Sequence, residues 1–162
     1  GGNQPVCRHF YRALRPIYDQ SGEKSVENYF QMNLDTKRIN AISNLGLAHI
    51  GDGVFELLCR SYLCVQGKTT VRTLHKSTVG FVNAPAQAKF ADCVLPHLTE
   101  KEQDFYRRGK NSHVHAAPGA ATRQEYAKAT GLEALFGALY LLGEMERVNE
   151  LFNLGMEELY GL

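Results

Sequence analysis

Apolar residues recur at spacings of three and four positions from Asp35 onward, which is the pattern of one buried face of an α-helix. The first such run contains Ile39, Ile42, Leu45, Leu47, Ile50, Val54, Leu57 and Leu58, and Gly67 ends it. No segment alternates apolar and polar residues over a length that would indicate a β-strand. The predicted fold class is therefore all-α, a helical bundle.

Five further helices follow the first run. They are predicted over about residues 71–78, 83–95, 99–108, 122–143 and 145–159. Thr99 with Glu102, and Thr122 with Glu125, have the capping-box spacing that starts a helix. Residues 109–120 hold Pro118, two glycines and two histidines among small residues, which predicts a loop.

The composition agrees with one domain that has a substantial core. Hydrophobic residues make up 44% of the 162 and charged residues 22%, which excludes wholesale disorder. Lys and Arg number 18 and Asp and Glu number 17, giving a net charge of +1. This balance excludes a polybasic tail protein but not a local basic surface.

The first 31 residues differ from the rest. They carry Pro5, Pro16 and Gly22 and show only one short helix-like run, at residues 8–14. Residues 27–31, ENYFQ, come close to a common engineered protease site, and Met32 has the character of a natural start. We therefore predict that residues 1–31 are an accessory or vector-derived extension and that residues 32–162 form the functional domain.

Expectations about location come from signals that the sequence lacks. The sequence contains no run of about 18 apolar residues, the length needed to span a membrane. Its first ten residues lack the apolar core of a secretory signal. The cysteines show no C-x-x-C pair, which favours reduced thiols in a reducing compartment; they are Cys7, Cys59, Cys64 and Cys93. We expect a cytoplasmic protein with no membrane partner.

Two acidic residues break the apolar pattern. Asp52 lies in the middle of the first long helix, and Glu133 lies in the middle of the helix predicted over 122–143. An ionised carboxylate among apolar residues loses hydration unless a cation or hydrogen-bond donors replace it. Neighbouring glycines permit close approach of another helix or of a ligand; they are Gly51, Gly53, Gly131 and Gly137.

Either acid taken alone is more often solvated or paired with arginine. Two of them in matching surroundings favour a site for Mg²⁺ or Mn²⁺, which accept a few carboxylates and keep several waters. Glu56 lies one turn after Asp52, where it would support the site or form a salt bridge.

Five segments of the chain carry a recognisable set of motifs. They are residues 50–57 (IGDGVFEL), 74–76 (LHK), 81–88 (FVNAPAQA), 107–111 (RRGKN) and 132–141 (LEALFGALYL). Together and in this order they resemble the motifs of ribonuclease III catalytic domains, and among these the mini-ribonuclease III family. The resemblance implies a homodimeric α-helical endoribonuclease that cleaves double-stranded RNA with Mg²⁺ as cofactor and without a separate RNA-binding domain.

The resemblance also implies roles for individual residues. Asp52 matches the family's signature aspartate and Glu133 its late glutamate, so both would be catalytic metal ligands. Larger ribonuclease III enzymes have a further glutamate where this chain has Ala48 and a further aspartate where it has Thr130. Thr130 and His49, which replaces a common aromatic residue, are expected to lie beside the acids, with His49 as a packing residue.

The implied reaction is hydrolysis of a phosphodiester with 5′-phosphate products. The implied role is maturation of large-subunit (23S) ribosomal RNA, with precursor ribosomal RNA as the partner. Because the net charge is small, RNA binding has to rely on local groups that suit phosphates and 2′-hydroxyls. The expected contacts are His75, Lys76, Gln87, Lys89, Arg107, Arg108, Lys110 and Asn111.

Other interpretations remain open. Residues 107–111 are equally typical of a solvated helix end, and His113 with His115 suggests zinc only weakly, because no third Cys or His is near in sequence. A catalytically inactive ribonuclease III-like module would bind RNA or ribosomes without hydrolysis. A helical phosphohydrolase would be expected to carry a His-Asp pair, which the sequence lacks. A purely structural dimer would tolerate the loss of both acids.

Overall fold

The computed structural model describes residues 21–22, 27–112 and 121–161. The chain divides into two units, residues 1–31 and 32–162. In the second unit the described residues form α1 (Thr36–Asn40), α2 (Asn44–Val65), α3 (Val71–Val82), α4 (Ala84–Val94), α5 (Glu100–Lys110), α6 (Arg123–Leu142) and α7 (Met145–Tyr160). A 3₁₀ turn at Leu95–His97 links α4 to α5, and no strand occurs in these ranges, which confirms the all-α prediction.

Little of the first unit is described. A turn closes where the Gln31 backbone N–H donates to the Asn28 carbonyl oxygen at 3.0 Å. The assignment of residues 1–31 as an accessory or vector-derived extension stays a prediction. None of the helices in the described ranges is long and apolar enough to cross a membrane.

The first predicted run is two helices rather than one. Asp35 caps α1 through a hydrogen bond from the Arg38 N–H at 2.8 Å, and Ser43 caps α2 through one from the Gly46 N–H at 3.0 Å. The break at residues 41–43 is invisible to the apolar spacing, because Ile39, Ile42 and Leu45 continue the helical period across it. The Ser43 cap is the sequence signal that marks it.

The two capping-box predictions have different outcomes. At Thr99 the box is complete, because Glu102 N–H donates to Thr99 Oγ1 at 3.2 Å and Thr99 N–H donates to the Glu102 carboxylate at 3.0 Å. At Thr122 only half of it forms, since the Glu125 carboxylate accepts from the Thr122 hydroxyl rather than from the backbone. Helix α5 extends through Lys110, beyond the predicted end, and residues 113–120, with His113 and His115, lie outside the described residues.

Helix α6 is the central element of the domain, and α2, α4 and α5 pack around it. Its Leu132, Leu135, Phe136 and Leu139 have no exposed surface. The Phe55 ring from α2 contacts Phe136 and, from α4, Phe90 edge-to-face, with centroid separations of 5.6 and 5.1 Å. Such aromatic pairs add about 0.5–1.5 kcal/mol each to the burial of their area. The aromatic rings of α2, α4 and α6 therefore form one cluster that holds the three helices together.

Two glycines set the distance between α2 and α6. A Cβ on Gly51 would overlap the backbone carbonyl of Glu133, and a Cβ on Gly137 would overlap the carbonyl of Leu47. The close approach that the sequence left open is thus between helices. The α2 backbone at Gly51, the residue before Asp52, therefore contacts the α6 backbone at Glu133.

A buried ion pair joins α5 to α7. The Arg147 guanidinium donates to both carboxylate oxygens of Glu102 at 2.9 Å and to the His97 carbonyl at 2.8 Å. Glu102 is 3% exposed. Although burial raises the pKa of Glu102, the hydrogen bonds from Arg147 and the Thr99 backbone hold it below its ordinary value.

The cysteines of the described residues are free thiols, at Cys59, Cys64 and Cys93. Cys59 is buried, and burial raises its pKa to about 12, with the Glu56 carboxylate adding to the effect. Cys64 is exposed. Its place near the end of α2 turns it away from the core.

Candidate active site

Asp52 and Glu133 meet at the crossing of α2 and α6. Asp52 is exposed on α2, whereas Glu133 is half-buried on α6. The Gly51 contact described above places the Glu133 backbone against the residue that precedes Asp52. Two acids from distant parts of the chain are therefore brought to one place, as the sequence predicts.

The electrostatics of Glu133 show that its carboxylate has no positive partner. Burial, and then the nearby Asp52 carboxylate, raise the pKa of Glu133 to about 8, while the Gln87 amide opposes the rise. No Lys, Arg or His of the described residues lies within 4.0 Å of either acid as an ion-pair partner. The site is thus short of positive charge, which is the condition that a bound cation would relieve.

The donor set fits a divalent cation that keeps most of its water. The described residues contain no cluster of three or more His, Cys, Asp or Glu side chains that would enclose a metal. Mg²⁺ is usually bound through one or two carboxylates plus waters and substrate phosphate, rather than by a complete protein cage. Asp52 and Glu133 match that requirement, whereas a structural zinc site would need more side-chain ligands.

A cleft of about 440 Å³ opens beside Glu133. Its wall includes Asn83 and Gln87 from α4 and Tyr126 and Thr130 from α6. Thr130 is buried, and its hydroxyl donates to the Tyr126 carbonyl at 3.0 Å. Thr130 therefore lies beside Glu133, and its hydroxyl group already donates a hydrogen bond within α6.

Gln87 requires a correction. The sequence suggests an RNA contact, but Gln87 is only 2% exposed and lines the cleft beside Glu133. It occupies the inward face of α4 together with Ala88, Phe90 and Ala91. Its Nε2 atom is buried without a hydrogen bond, and such an orphan donor costs about 1–3 kcal/mol. Sequence reasoning missed this because a glutamine between alanines has no apolar signature of burial.

The other residues expected to support the acids lie on α2. The Glu56 carboxylate accepts from Arg60 at 3.2 Å, which is the salt bridge that the sequence allows as one of its two roles. His49 is exposed, so the packing role expected for it is not seen within this chain. Ala48, which stands where larger enzymes have a glutamate, is buried.

Most of the expected RNA contacts are on the surface. His75 and Lys76 on α3 and Lys89 on α4 are exposed. At the end of α5, Arg107 and Asn111 are exposed and Lys110 is half-buried; the Arg107 guanidinium lies 3.8 Å from the Asp104 carboxylate. Lys76, Lys89 and Lys110 form no ion pair with any described residue. These positions stay predictions as RNA contacts.

Arg108 is different, because its guanidinium is already used inside the protein. Its Nε donates to Asn44 Oδ1 at 2.9 Å and its Nη1 donates to Asn40 Oδ1 at 3.1 Å. The same group lies 5.9 Å from the centre of the Phe105 ring. Arg108 therefore ties α5 to α1 and α2, and its role as an RNA contact stays a prediction.

Comparison with known proteins shows that the region from α2 to α6 matches one protein family. The model of the ribonuclease III domain matches residues 45–144. A protein of Symbiobacterium thermophilum named mini-ribonuclease 3 is 45% identical over 106 residues, covering 65% of this chain and 82% of that protein. A protein of the same name from Thermoanaerobacter sp. is 38% identical over 137 residues, covering 83% and 96%.

A solved structure shows the same fold. The crystal structure of a protein from Fusobacterium nucleatum superimposes with a TM-score of 0.67 at 33% sequence identity. The match covers 74% of this chain and 96% of the other. Asp52 and Glu133 both fall within the segment that the ribonuclease III domain model matches.

Proposed function

Because the chain belongs to the ribonuclease III domain family, and within it to the mini-ribonuclease III family, we propose that this endoribonuclease hydrolyses double-stranded RNA with Mg²⁺ or Mn²⁺. The observation that carries the proposal is the meeting of Asp52 and Glu133 without a positive partner. Two converging carboxylates with a raised pKa on one of them are typical of a metal-assisted hydrolytic site.

Asp52 and Glu133 would hold the cation. When bound, a divalent ion lowers the pKa of a coordinated water and stabilises charge on a phosphate. Asp52 is exposed, so the RNA backbone can approach it, while half-buried Glu133 keeps part of the site from bulk water. In the hydrolysis, a water oxygen bonds to phosphorus and the bond to the 3′ oxygen breaks. The products carry a 5′-phosphate and a 3′-hydroxyl.

The exposed cations support a duplex as substrate. Lys76, Lys89 and Arg107 are exposed and separated along the chain, and Lys110 is half-buried. The Arg107 guanidinium lies 3.8 Å from the Asp104 carboxylate. Double-stranded RNA is recognised largely through its phosphates and 2′-hydroxyls, which requires spaced donors rather than a strongly basic protein. The near-neutral total charge is compatible with this mode.

We propose that the active form is a homodimer formed through α2. Leu45, His49, Gly53 and Leu57 recur every four residues, so they share one face of this helix, and all are exposed. Leu45 and Leu57 are 50% and 55% exposed, and no described atom lies within 4 Å of a Cβ placed on Gly53. A second copy would cover this apolar face and bring the acid pairs of both copies beside the interface.

The proposed physiological substrate is precursor large-subunit ribosomal RNA, acted on in the cytoplasm. This part of the proposal follows from the family resemblance of the motifs. Depletion of the protein in its source organism, followed by mapping of the 23S ribosomal RNA ends, tests it: unprocessed ends are expected, and unchanged ends would reject this substrate.

Cleavage of a long RNA duplex over a range of Mg²⁺ concentrations tests the activity. Wild-type protein is expected to cut the duplex, but neither strand alone, and to stop in excess chelator. Asp52→Asn and Glu133→Gln are expected to abolish cleavage, whereas Glu56→Gln, which removes only the salt bridge with Arg60, serves as the matched control. Duplex binding without cleavage by the wild type at every Mg²⁺ concentration would favour an inactive RNA-binding module.

A further inference from the structure

Gln87 places a buried amide beside Glu133, a position that the sequence does not predict for it. Its side chain lies on the inward face of α4, lines the cleft beside Glu133 and is shielded from solvent. Its Nε2 has no hydrogen-bond acceptor among the described residues. A buried donor without an acceptor is uncommon in proteins and often marks a group that functions with a missing partner.

Two neighbouring polar side chains on the same wall of the cleft differ from Gln87, because both form hydrogen bonds. The Asn83 side chain, on the same wall, accepts from the Ala86 N–H at 2.9 Å and donates to the Val79 and Gly80 carbonyls. The Thr130 hydroxyl donates to Tyr126. The hydrogen bonds of Asn83 are made at the junction of α3 and α4, and that of Thr130 is made within α6. Gln87 is therefore the amide at this wall that is left to serve the carboxylate.

Among the described residues that line this cleft, Glu133 is the only carboxylate, so it is the acid that Gln87 serves. The Gln87 amide favours the charged form of Glu133, against the burial and the Asp52 charge that oppose it. An amide N–H that faces a carboxylate fixes the plane of that group and leaves its other oxygen available. This is the arrangement found where an outer hydrogen bond orients a metal ligand.

We propose that Gln87 is a positioning residue: its Nε2, which makes no hydrogen bond in this structure, donates to one Glu133 carboxylate oxygen when that carboxylate holds the divalent cation, and so orients the other oxygen toward the cation. This inference rests on the proposed function, because it assigns Gln87 a role toward the same cation. It predicts that loss of the amide weakens metal binding while RNA binding is unaffected, since Gln87 is too buried to reach the duplex.

Gln87→Leu tests the proposal, because leucine fills a similar volume without an amide. We expect at least a tenfold rise in the Mn²⁺ dissociation constant, measured by electron paramagnetic resonance without RNA, and a similar rise in the Mg²⁺ concentration for half-maximal cleavage. The duplex dissociation constant in Ca²⁺ should stay within twofold of wild type. Gln103→Leu, on α5, removes an amide that donates to the Leu98 carbonyl at 3.1 Å and does not line the cleft beside Glu133, and it serves as control.

The outcomes separate this inference from the proposed function. A purely structural Gln87 would lower the melting temperature of Gln87→Leu and leave the Mn²⁺ dissociation constant unchanged, which would overturn the positioning role. Gln87→Met, which keeps the length of the side chain but has no amide, covers the case in which the leucine variant fails to fold; it should also lose Mn²⁺ affinity. If Asp52→Asn and Glu133→Gln cleave normally, the proposed function itself fails, whatever Gln87 does.

Discussion

The Glu133 carbonyl on α6 occupies the space that a Cβ on Gly51 of α2 would need. Both partners in this contact are backbone, so neither can move aside as a flexible side chain would. Asp52 directly follows Gly51, and Glu133 is itself the residue in contact. The spacing of α2 and α6, and hence of the two acids, therefore depends on the absence of a methyl group at residue 51.

Gly51→Ala is therefore expected to destabilise the domain by about 3 kcal/mol, because forced separation of packed helices outweighs the gain in helix propensity. Thermal unfolding followed by circular dichroism at equal protein concentrations measures the effect. Gly80→Ala is the matched control: Gly80 lies in α3 with open space around its Cβ position, so alanine should raise stability by about 0.5–1 kcal/mol. Equal melting temperatures for the two variants would contradict the close contact.

The stability of the metal-free protein is expected to fall as the pH rises through the range of Glu133. Its pKa is about 8 in the folded protein and near the 4.5 of a free glutamate side chain when unfolded. The folded state therefore binds more protons than the unfolded state between these values, and stability declines with increasing pH. The loss is complete above about pH 8.

Thermal melts in chelator from pH 5 to 9 check this sign. The melting temperature of wild type should drop across the range relative to that of Glu133→Gln, which resembles the protonated acid at every pH. Parallel curves would mean that Glu133 titrates normally. Adding Mg²⁺ should remove most of the difference at high pH, because the cation stabilises the charged form.

The two neighbouring arginines of α5 should behave differently. Arg108→Ala should lower stability by about 1–2 kcal/mol through loss of its hydrogen bonds to Asn40 and Asn44. Arg107→Ala should leave the melting temperature nearly unchanged but weaken duplex binding and reduce the slope of log Kd against log salt by about one. Binding is measured in the Glu133→Gln background, so that cleavage does not interfere. Equal salt slopes for wild type and Arg107→Ala would remove Arg107 from the RNA surface.

Leu57→Arg is expected to convert the proposed dimer to a monomer, because it places a charge at one end of the exposed face that Leu45, His49, Gly53 and Leu57 form on α2. Size-exclusion chromatography with light scattering gives the mass directly. Val71→Arg, at an apolar position at the start of α3 that is 84% exposed, against 55% for Leu57, should leave the mass unchanged. A wild-type monomer at micromolar concentration would refute the dimer proposal.

The sequence predicted the helices well where their signals are local. The apolar period of α6 and the Thr99 cap of α5 depend on residues within a few positions of one another, and both are confirmed. It could not separate α1 from α2, because the apolar period runs through Ile42 and only the Ser43 cap marks the boundary.

The acid pair was predictable for a different reason from the rest of the site. Asp52 and Glu133 stand out because charge is rare in an apolar helix. Gln87 and Arg108 do not, since a polar residue on an amphipathic helix is ordinarily on the surface. Gln87 lies 46 positions from Glu133 in the sequence, and Arg108 lies 64 positions from Asn44. Only the folded chain therefore shows that Gln87 lines the cleft beside Glu133 and that Arg108 joins helices.

The contact between Gly51 and the backbone of Glu133 has a consequence for redesign. The spacing of the two acids is dictated by main chain in the interior, whereas Lys76, Lys89 and Arg107 stand on outward helix faces without structural duties comparable to those of Arg108. The proposed catalytic acids and the proposed RNA contacts therefore have separate structural supports. Surface libraries at those three positions should retune which duplexes are chosen while leaving the chemistry of scission intact.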